Sequence, residues 1–185
     1  MPLYFAYGSN MDEAAMAQRC PRSSVIGPAM LLRHRIVIMA EGYASVVRDP
    51  RATVYGLLWD VALGDVRALD TYESIQTGLY KKATQPVKRI GEGVRPLQQA
   101  LVYLGRGEGG GTPLPGYLEN VLDTAAKLDF PKAYMAELAR LATGARKASR
   151  GQPAQRAVRP APVRAERDAE GKVIVRPRFG SPLDR

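Results

Sequence analysis

Residues 3–11 read LYFAYGSNM, and the fold prediction starts from this stretch. Its apolar and aromatic beginning is typical of a buried β-strand. Gly8, Ser9 and Asn10 then break the strand, because all three residue types favour loops. Residues 12–18 follow as the first turns of a helix with acidic residues at its positive end. This order aims backbone N–H groups at a small anion or a developing oxyanion, although an ordinary strand–helix connection fits the same pattern.

The segments that follow alternate between strand-like and helix-like patterns. Apolar residues at steps of three predict a short helix over 63–73, and two amphipathic helices are predicted at 117–128 and 131–141. Gly56 lies inside a β-branched and aromatic run, which predicts a bulge or a close backbone approach. The sequence Asp-Pro-Arg at 49–51 is expected to end a strand. Further strands are predicted at 29–32, 35–40, 43–47, 53–61, 79–87 and 97–104, which makes the chain an α+β protein.

Length and composition are those of an ordinary globular protein. The 185 residues are 45% hydrophobic and 24% charged, enough for one domain with a buried core. No apolar run approaches the ~20 residues that span a bilayer, and we expect neither a secretory leader nor a membrane partner. A single cysteine, Cys20, excludes an internal disulfide and favours a cytoplasmic location.

The net charge of +9 is concentrated in the last forty or so residues. Residues 145–185 contain 11 basic and 4 acidic residues, whereas residues 1–144 contain 16 and 14. We therefore predict a domain over 1–144 and a basic, Pro- and Arg-rich tail over 145–185, with a short hairpin at 162–176. A tail that binds nucleic acid is a less favoured alternative, because Phe179 is its only aromatic residue.

His34 is the only histidine of the chain. A chain with one histidine cannot form a multi-histidine metal site, and we expect His34 to be structural or solvated. A hydrolase with Ser9 or Cys20 as nucleophile would have to rely on His34, so this is the least favoured class. We expect no metal and no cofactor.

Glu73 stands out because it ends the predicted helix over 63–73. A carboxylate at a helix C-terminus faces the negative end of the helix dipole, which does not help stability. A functional role explains its position, and an exposed glutamate at a helix end is the plainer alternative.

Four linked motifs resemble one known family, the γ-glutamylcyclotransferases with their plant and bacterial AIG2-like relatives. Residues 4–11, YFAYGSNM, are similar to the opening YFAYGSNL of that family. Residues 54–59 (VYGLLW), 69–73 (LDTYE) and 78–80 (GLY) match its V-W/Y-G-V-x-W, L-D-x-x-E and G-x-Y motifs in order and spacing. The likeness covers about residues 3–141 and does not extend to the tail.

The resemblance implies a small mixed β-barrel flanked by helices, and an enzyme that turns a γ-glutamyl amino acid or amine into 5-oxoproline and a free amine. The α-amine of the substrate attacks its own γ-carbonyl, so the protein supplies a general acid/base rather than a nucleophile. The resemblance assigns that role to Glu73. It assigns substrate binding to the turn and to two tyrosines, namely Tyr7, Gly8, Ser9, Asn10, Tyr103 and Tyr117.

One departure from the family pattern concerns the residue after the carboxylate, where Ser74 replaces the glycine of many relatives. The YGSN turn is more similar to that of the enzymes acting on γ-glutamyl amino acids than to the YGSL turn of the glutathione-specific branch. A non-catalytic member of the fold, which binds a small carboxylated metabolite in the turn and docks a partner or nucleic acid with its tail, remains the alternative.

Overall fold

The structure, a computed structural model, describes residues 1–91, 96–107, 109–148, 166–167 and 173–174. The chain divides into two compact units, Met1–Pro153 and Ala154–Arg185. The predicted boundary after residue 144 stays a prediction.

The described residues of the first unit form five strands and four α-helices. Two single 3-10 turns, Ser9–Met11 and Ile75–Thr77, lie beside the segments of functional interest. The strands are β1 (Leu3–Ala6), β2 (Ser24–Ile38), β3 (Ala44–Asp60), β4 (Tyr80–Arg89) and β5 (Gln98–Gly105). The helices are α1 (Glu13–Arg19), α2 (Leu63–Tyr72), α3 (Tyr117–Lys127) and α4 (Lys132–Ala148).

The five strands close into a barrel in the order β1-β3-β2-β4-β5. All neighbours are antiparallel except β1 and β5, which are parallel at the pair Tyr4 and Leu101. The predicted mixed barrel flanked by helices is therefore confirmed. The parallel pairing has a consequence for function, because it brings the end of β1 and the end of β5 to the same end of the barrel.

β1 and β3 approach each other closely at Gly56. β1 runs antiparallel to β3, with Ala6 opposite Leu57. A Cβ on Gly56 would lie 2.2 Å from the carbonyl oxygen of Ala6 and within 2.9 Å of the ring of Phe5. The close approach predicted at Gly56 is confirmed, and no larger residue fits there without moving β1.

Two predictions about β2 and β3 are wrong. The predicted segments 29–32 and 35–40 fall mostly in one continuous strand, which begins at Ser24 and ends at Ile38. Likewise β3 runs through Asp49, Pro50 and Arg51 instead of ending there. Between the pairs Leu32–Thr53 and His34–Arg48 the register shifts, so Pro50 lies in an irregular stretch where its missing N–H removes no ladder bond.

The predicted helices are confirmed, with one exception in length. Asp12 caps α1, because its Oδ1 accepts a hydrogen bond from the backbone N–H of Ala15 at 2.9 Å. α2 ends at Tyr72 and leaves Glu73 as its C-cap residue, as expected. α3 and α4 pack on each other and on the barrel through buried residues such as Val121, Ala125 and Leu138. α4 continues to Ala148 rather than ending at residue 141.

The described residues of the second unit form a small antiparallel pair. β6 (Glu166–Arg167) pairs with β7 (Val173–Ile174), Glu166 opposite Ile174. The rest of the hairpin predicted at 162–176, and the other tail predictions, lie outside the described residues. In the part of the chain that the structure describes, no helix has both the length and the apolar character needed to cross a membrane.

Candidate active site

Glu73 is held at a sharp corner between α2 and β4. Its backbone N–H donates to the carbonyl of Leu69 at 2.8 Å, and the N–H of Ser74 donates to the carbonyl of Thr71 at 3.1 Å, so both residues are tied to the end of α2. Ser74 then adopts a left-handed conformation, with φ 55° and ψ 42°. The 3-10 turn over Ile75–Thr77 ends at Gly78, and β4 begins two residues later. The corner turns the Glu73 side chain inward, where it is only 8% exposed.

The turn after β1 supplies a buried partner for this carboxylate. Asn10 is 2% exposed, and its Nδ2 donates to Oε1 of Glu73 at 2.7 Å and to the hydroxyl of Tyr4 at 3.0 Å. Its Oδ1 accepts from Nη1 of Arg19 at 2.5 Å. The predicted turn and the predicted acid/base thus meet, although 63 residues separate them in the chain.

Three buried tyrosines, Tyr4, Tyr7 and Tyr103, lie near enough to the Glu73 carboxylate for its charge to affect their pKa values. Burial is the main cause that raises the pKa of Tyr4 and of Tyr7 well above the ordinary value, and the negative charge of Glu73 raises it further. The pKa of Tyr103 is also raised, first by burial, then by the hydrogen bond to Asp70 and the charges of Asp70 and Glu73. These three groups therefore stay neutral phenols at any working pH. The Tyr7 hydroxyl donates to the backbone carbonyl of Tyr103 and so links the turn after β1 to β5.

Tyr117 reaches the same turn from the start of α3. A Cβ on Gly8 would lie 2.8 Å from the Tyr117 hydroxyl, so only glycine leaves that hydroxyl in its place. The Tyr117 hydroxyl accepts from the backbone N–H of Ala44 at 3.3 Å, and its ring meets that of Tyr43 edge-on at 5.5 Å. The loop before α3 is anchored to the β2–β3 connection, because the N–H of Leu114 donates to the carbonyl of Gly42 at 3.1 Å.

Ser9, also predicted at the site, faces a different neighbour. Its Oγ lies 3.1 Å from the hydroxyl of Tyr72.

The His34 imidazole contacts the carbonyl of Leu32 through Nδ1 at 2.8 Å, and the Cys20 thiol contacts the carbonyl of Asp65. His34 is a buried strand residue with a structural partner, which is what the sequence predicted. The contacts made by these side chains do not assemble a nucleophile–base pair.

Five residues of this network had no role in the sequence prediction, namely Tyr4, Arg19, Asp70, Tyr72 and Lys82. Asp70 accepts from the Tyr103 hydroxyl at 2.7 Å and forms an ion pair with Lys82 at 2.8 Å. The Arg19 guanidinium lies 3.8 Å above the ring of Tyr72. Tyr4 completes the set through its bond with Asn10. The helical spacing of Asp70 and Glu73 was a usable signal for a shared face, whereas nothing local points to Arg19.

A separate groove of about 810 Å³ is lined by residues of β2, β3, β4 and β5. Leu104 and Lys81 line it, and they alternate along their strands with Tyr103 and Lys82, which face Asp70. Because side chains alternate between the two faces of a strand, the groove lies on the opposite face from the Glu73 network. It is not part of the candidate site.

No group of three or more His, Cys, Asp or Glu side chains within the described ranges is placed to hold a metal ion. The described residues of the site provide a buried carboxylate with a charge-assisted hydrogen bond from Asn10, beside neutral phenols and a polar backbone turn. Such a site can move protons and orient a polar substrate.

Comparison with known proteins identifies where this architecture occurs. Residues 4–118, more than half of the chain, match the family model described as "Gamma-glutamyl cyclotransferase, AIG2-like". A human γ-glutamylcyclotransferase is 28% identical over 103 residues, covering 48% of this chain and 55% of the human protein. The chain thus spans about half the length of that relative.

Solved structures show the same fold. A structure named γ-glutamyl cyclotransferase superimposes with a TM-score of 0.66 at 22% identity, covering 75% of this chain and 86% of that one. YkqA from Bacillus subtilis superimposes with a TM-score of 0.64 at 20% identity, covering 77% of this chain and 54% of its own. With the family model matched from the first strand through the start of α3, this chain belongs to the AIG2-like γ-glutamyl cyclotransferase family.

Proposed function

We propose that this protein is an enzyme of the γ-glutamylcyclotransferase type, which converts a γ-glutamyl amino acid or amine into 5-oxoproline and the free amine. The observation that carries the proposal is the buried carboxylate of Glu73, hydrogen-bonded at 2.7 Å to Asn10 of the turn after β1. An exposed glutamate at a helix end, the plainer alternative, does not fit a side chain that is 8% exposed.

The reaction needs one group that first takes a proton and then returns it. The α-ammonium of the substrate loses a proton to Glu73, and the resulting amine attacks the γ-carbonyl carbon. A new C–N bond closes the five-membered ring and gives a tetrahedral oxyanion. Collapse of that oxyanion breaks the original γ-amide bond, and Glu73 returns the proton to the departing nitrogen. The ring nitrogen loses its second proton as the lactam forms, and the released amine takes up a proton from solvent to become an ammonium ion. One carboxylate serves both steps because both nitrogens are bonded to the same carbon in the intermediate.

The turn of Tyr7, Gly8, Ser9 and Asn10 is proposed to bind the substrate through its backbone. The N–H groups of Met11 and Asp12 already donate to the carbonyls of Gly8 and Ser9. The contribution to a substrate carboxylate or to the oxyanion therefore falls to the N–H groups of Gly8, Ser9 and Asn10. The Asn10 side chain is engaged by Glu73, Tyr4 and Arg19, so its part in binding is through the backbone.

Tyr103 and Tyr117 are proposed to shape the substrate cavity. Tyr103 is oriented by its hydrogen bond to Asp70, and Tyr117 lies against Gly8 of the turn, so each phenol is held in a fixed position. Because the pKa of Tyr103 is raised, its hydroxyl acts as a hydrogen-bond donor and not as a base. In the proposed mechanism the general base is Glu73.

The test is release of 5-oxoproline from γ-glutamyl amino acids, glutathione and γ-glutamyl amines, with the wild type and with Glu73→Gln. Glutamine keeps the size of the side chain and removes its acid/base function. We expect release by the wild type and a loss of about 10²- to 10⁴-fold in the variant, the usual contribution of general acid/base catalysis. The matched control is Glu119→Gln on the exposed side of α3, which should retain full activity.

The preferred compound of the panel would identify the leaving amine. Release that survives Glu73→Gln would show that another group is the base. No release from any compound would favour the alternative of a protein that only binds a metabolite.

A further inference from the structure

We propose that Arg19 is a positioning residue for Glu73: its guanidinium holds the Asn10 amide in the one orientation that donates to the Glu73 carboxylate. The kinetic part of this inference rests on the function proposed above. The structural part, which concerns the orientation of a buried amide, does not.

The Asn10 side chain makes three hydrogen bonds. Its two N–H groups go to Oε1 of Glu73 at 2.7 Å and to the hydroxyl of Tyr4 at 3.0 Å. Its oxygen accepts the bond from Arg19 at 2.5 Å. A primary amide has two donor hydrogens and one acceptor oxygen, so the set of partners is satisfied in this orientation.

The opposite orientation is unfavourable at both ends. Rotating the amide by half a turn would place its oxygen against the Glu73 carboxylate and its NH2 group against the Arg19 guanidinium. An arginine has only donors and an ionised carboxylate only acceptors, so both contacts would become repulsive. Arg19 and Glu73 therefore select the same orientation from opposite sides. Without Arg19, one of these two constraints disappears.

The guanidinium is itself fixed in place. It lies 3.8 Å above the centre of the Tyr72 ring, and the Tyr72 hydroxyl contacts Ser9 at 3.1 Å. Tyr72 immediately precedes Glu73 in the chain. The Arg19 guanidinium therefore contacts both Tyr72 and Asn10, the residue that donates to the Glu73 carboxylate. Lysine cannot reproduce this arrangement, because its ammonium has neither the planar face nor the fork of donors.

A simpler role for Arg19 is a favourable charge at the C-terminus of α1, where it lies in the last turn. That role predicts that any cation suffices and that only stability changes on substitution. The positioning role predicts a change at the Asn10 amide and in the pH dependence of the reaction. The two roles are therefore separable by experiment.

The structural test uses the side-chain amide signals of asparagine. The chain has only two asparagines, Asn10 and Asn120, and Asn120 is exposed on α3. In protein labelled with ¹⁵N-asparagine, we expect the Asn10 NH2 pair to be shifted from the Asn120 pair and slow to exchange with water. In Arg19→Leu the Asn10 pair should move toward the Asn120 pair and exchange faster. Asn10 signals unchanged in Arg19→Leu would overturn the proposal.

The kinetic test compares Arg19→Leu, Arg19→Lys and the control Arg140→Leu, whose side chain is exposed on α4. For Arg19→Leu we expect a fall in kcat of about 10- to 100-fold, since a misplaced catalytic group costs that much, with a smaller change in KM. The acidic limb of the pH–rate profile should move to higher pH, because a less firmly held Asn10 amide gives the carboxylate a weaker hydrogen bond, and that bond favours its ionised form. Millimolar guanidinium ion should restore part of the rate.

Arg19→Lys should lie between the leucine variant and the wild type, and it keeps the test decisive if the leucine variant does not fold. Full activity with an unchanged pH profile in both variants would contradict the proposal. If the wild type releases no 5-oxoproline at all, the proposed function fails while the amide signals still decide the role of Arg19.

Discussion

Replacing Asp65 by asparagine should weaken the protein in a pH-dependent way. Asp65 lies in the first turn of α2, is 2% exposed and accepts four hydrogen bonds. These come from the backbone N–H of Arg22 at 3.0 Å, the Arg22 guanidinium at 3.1 and 2.9 Å, and the Ser23 hydroxyl at 3.0 Å. The carboxylate thus ties α2 to the segment that leads into β2.

The magnitude follows from which bonds are buried. The Arg22 side chain is 66% exposed, so its ion pair adds little. The bonds from the Arg22 N–H and the Ser23 hydroxyl are the sheltered ones, and bonds to a charged group are worth about 1.5–3 kcal/mol each. Asparagine keeps one oxygen but turns an NH2 group toward a donor. We therefore expect Asp65→Asn to lower the free energy of unfolding by about 2–4 kcal/mol at pH 7.

The pH dependence has a definite sign. Burial acts to raise the pKa of the Asp65 carboxyl, but the hydrogen bonds from Arg22 and Ser23 and the charge of Arg22 outweigh it, and the pKa is lowered from 3.8. A carboxyl with a depressed pKa in the folded state contributes stability above its unfolded pKa and loses that contribution as pH falls through the folded value. The difference between wild type and variant should therefore be constant near neutrality and shrink below about pH 4.

Urea unfolding of both proteins between pH 7 and pH 2 measures this difference. Asp123→Asn, at an exposed carboxyl on α3, is the control and should change stability little. A difference between wild type and Asp65→Asn that stays the same down to pH 2 would refute the reasoning, because the carboxylate charge would then not be its source.

Three further predictions concern single residues of the first unit. Ser74→Gly should raise the free energy of unfolding by about 0.5–1 kcal/mol, because φ at this residue is 55° and glycine adopts that conformation without strain; urea unfolding measures it. Gly56→Ala should destabilise by about 3 kcal/mol or prevent folding, since its Cβ would lie 2.2 Å from the carbonyl oxygen of Ala6; thermal unfolding shows whether it does. Cys20 should react with a thiol reagent at neutral pH only as fast as the protein opens, because it is buried and burial raises its pKa to about 11; the reaction rate with and without urea measures this.

The parts of the fold that the sequence predicts well are those with local causes. The aromatic run of β1, the loop residues after it and the period of α2 are each readable within a few residues, and each element forms where expected. Ser74 is a departure from the family pattern whose meaning needed the structure. Its left-handed backbone explains why glycine suits that position.

The errors have a common physical cause. Residues 49–51 look like a strand end, because proline in a strand is costly wherever its N–H is needed for pairing. The break predicted between residues 32 and 35 faces the same stretch of β3. The structure places Pro50 where the β2–β3 register shifts, so the long strands continue past it. Whether a residue falls at such a shift depends on the partner strand and not on its own neighbours.

The candidate site shows the same limit at long range. The sequence alone picked out Glu73 and the YGSN turn, but not that the Asn10 side chain joins them. Nor did it indicate that Arg19 and Tyr72, 53 positions apart in numbering, would stack at 3.8 Å. These contacts are set by the closure of the barrel and by the corner after α2. The roles proposed for Tyr103, Tyr117 and the turn in substrate binding stay predictions.

The central claim is that Glu73 drives cyclisation of the substrate rather than its hydrolysis. The most direct measurement is the product ratio from a γ-glutamyl substrate incubated in ¹⁸O-water, with wild type and Glu73→Gln side by side. We expect 5-oxoproline without ¹⁸O, in equal amount to the released amine, and a near-complete loss of both in Glu73→Gln. Glutamate carrying ¹⁸O, or an undiminished rate in Glu73→Gln, would contradict it.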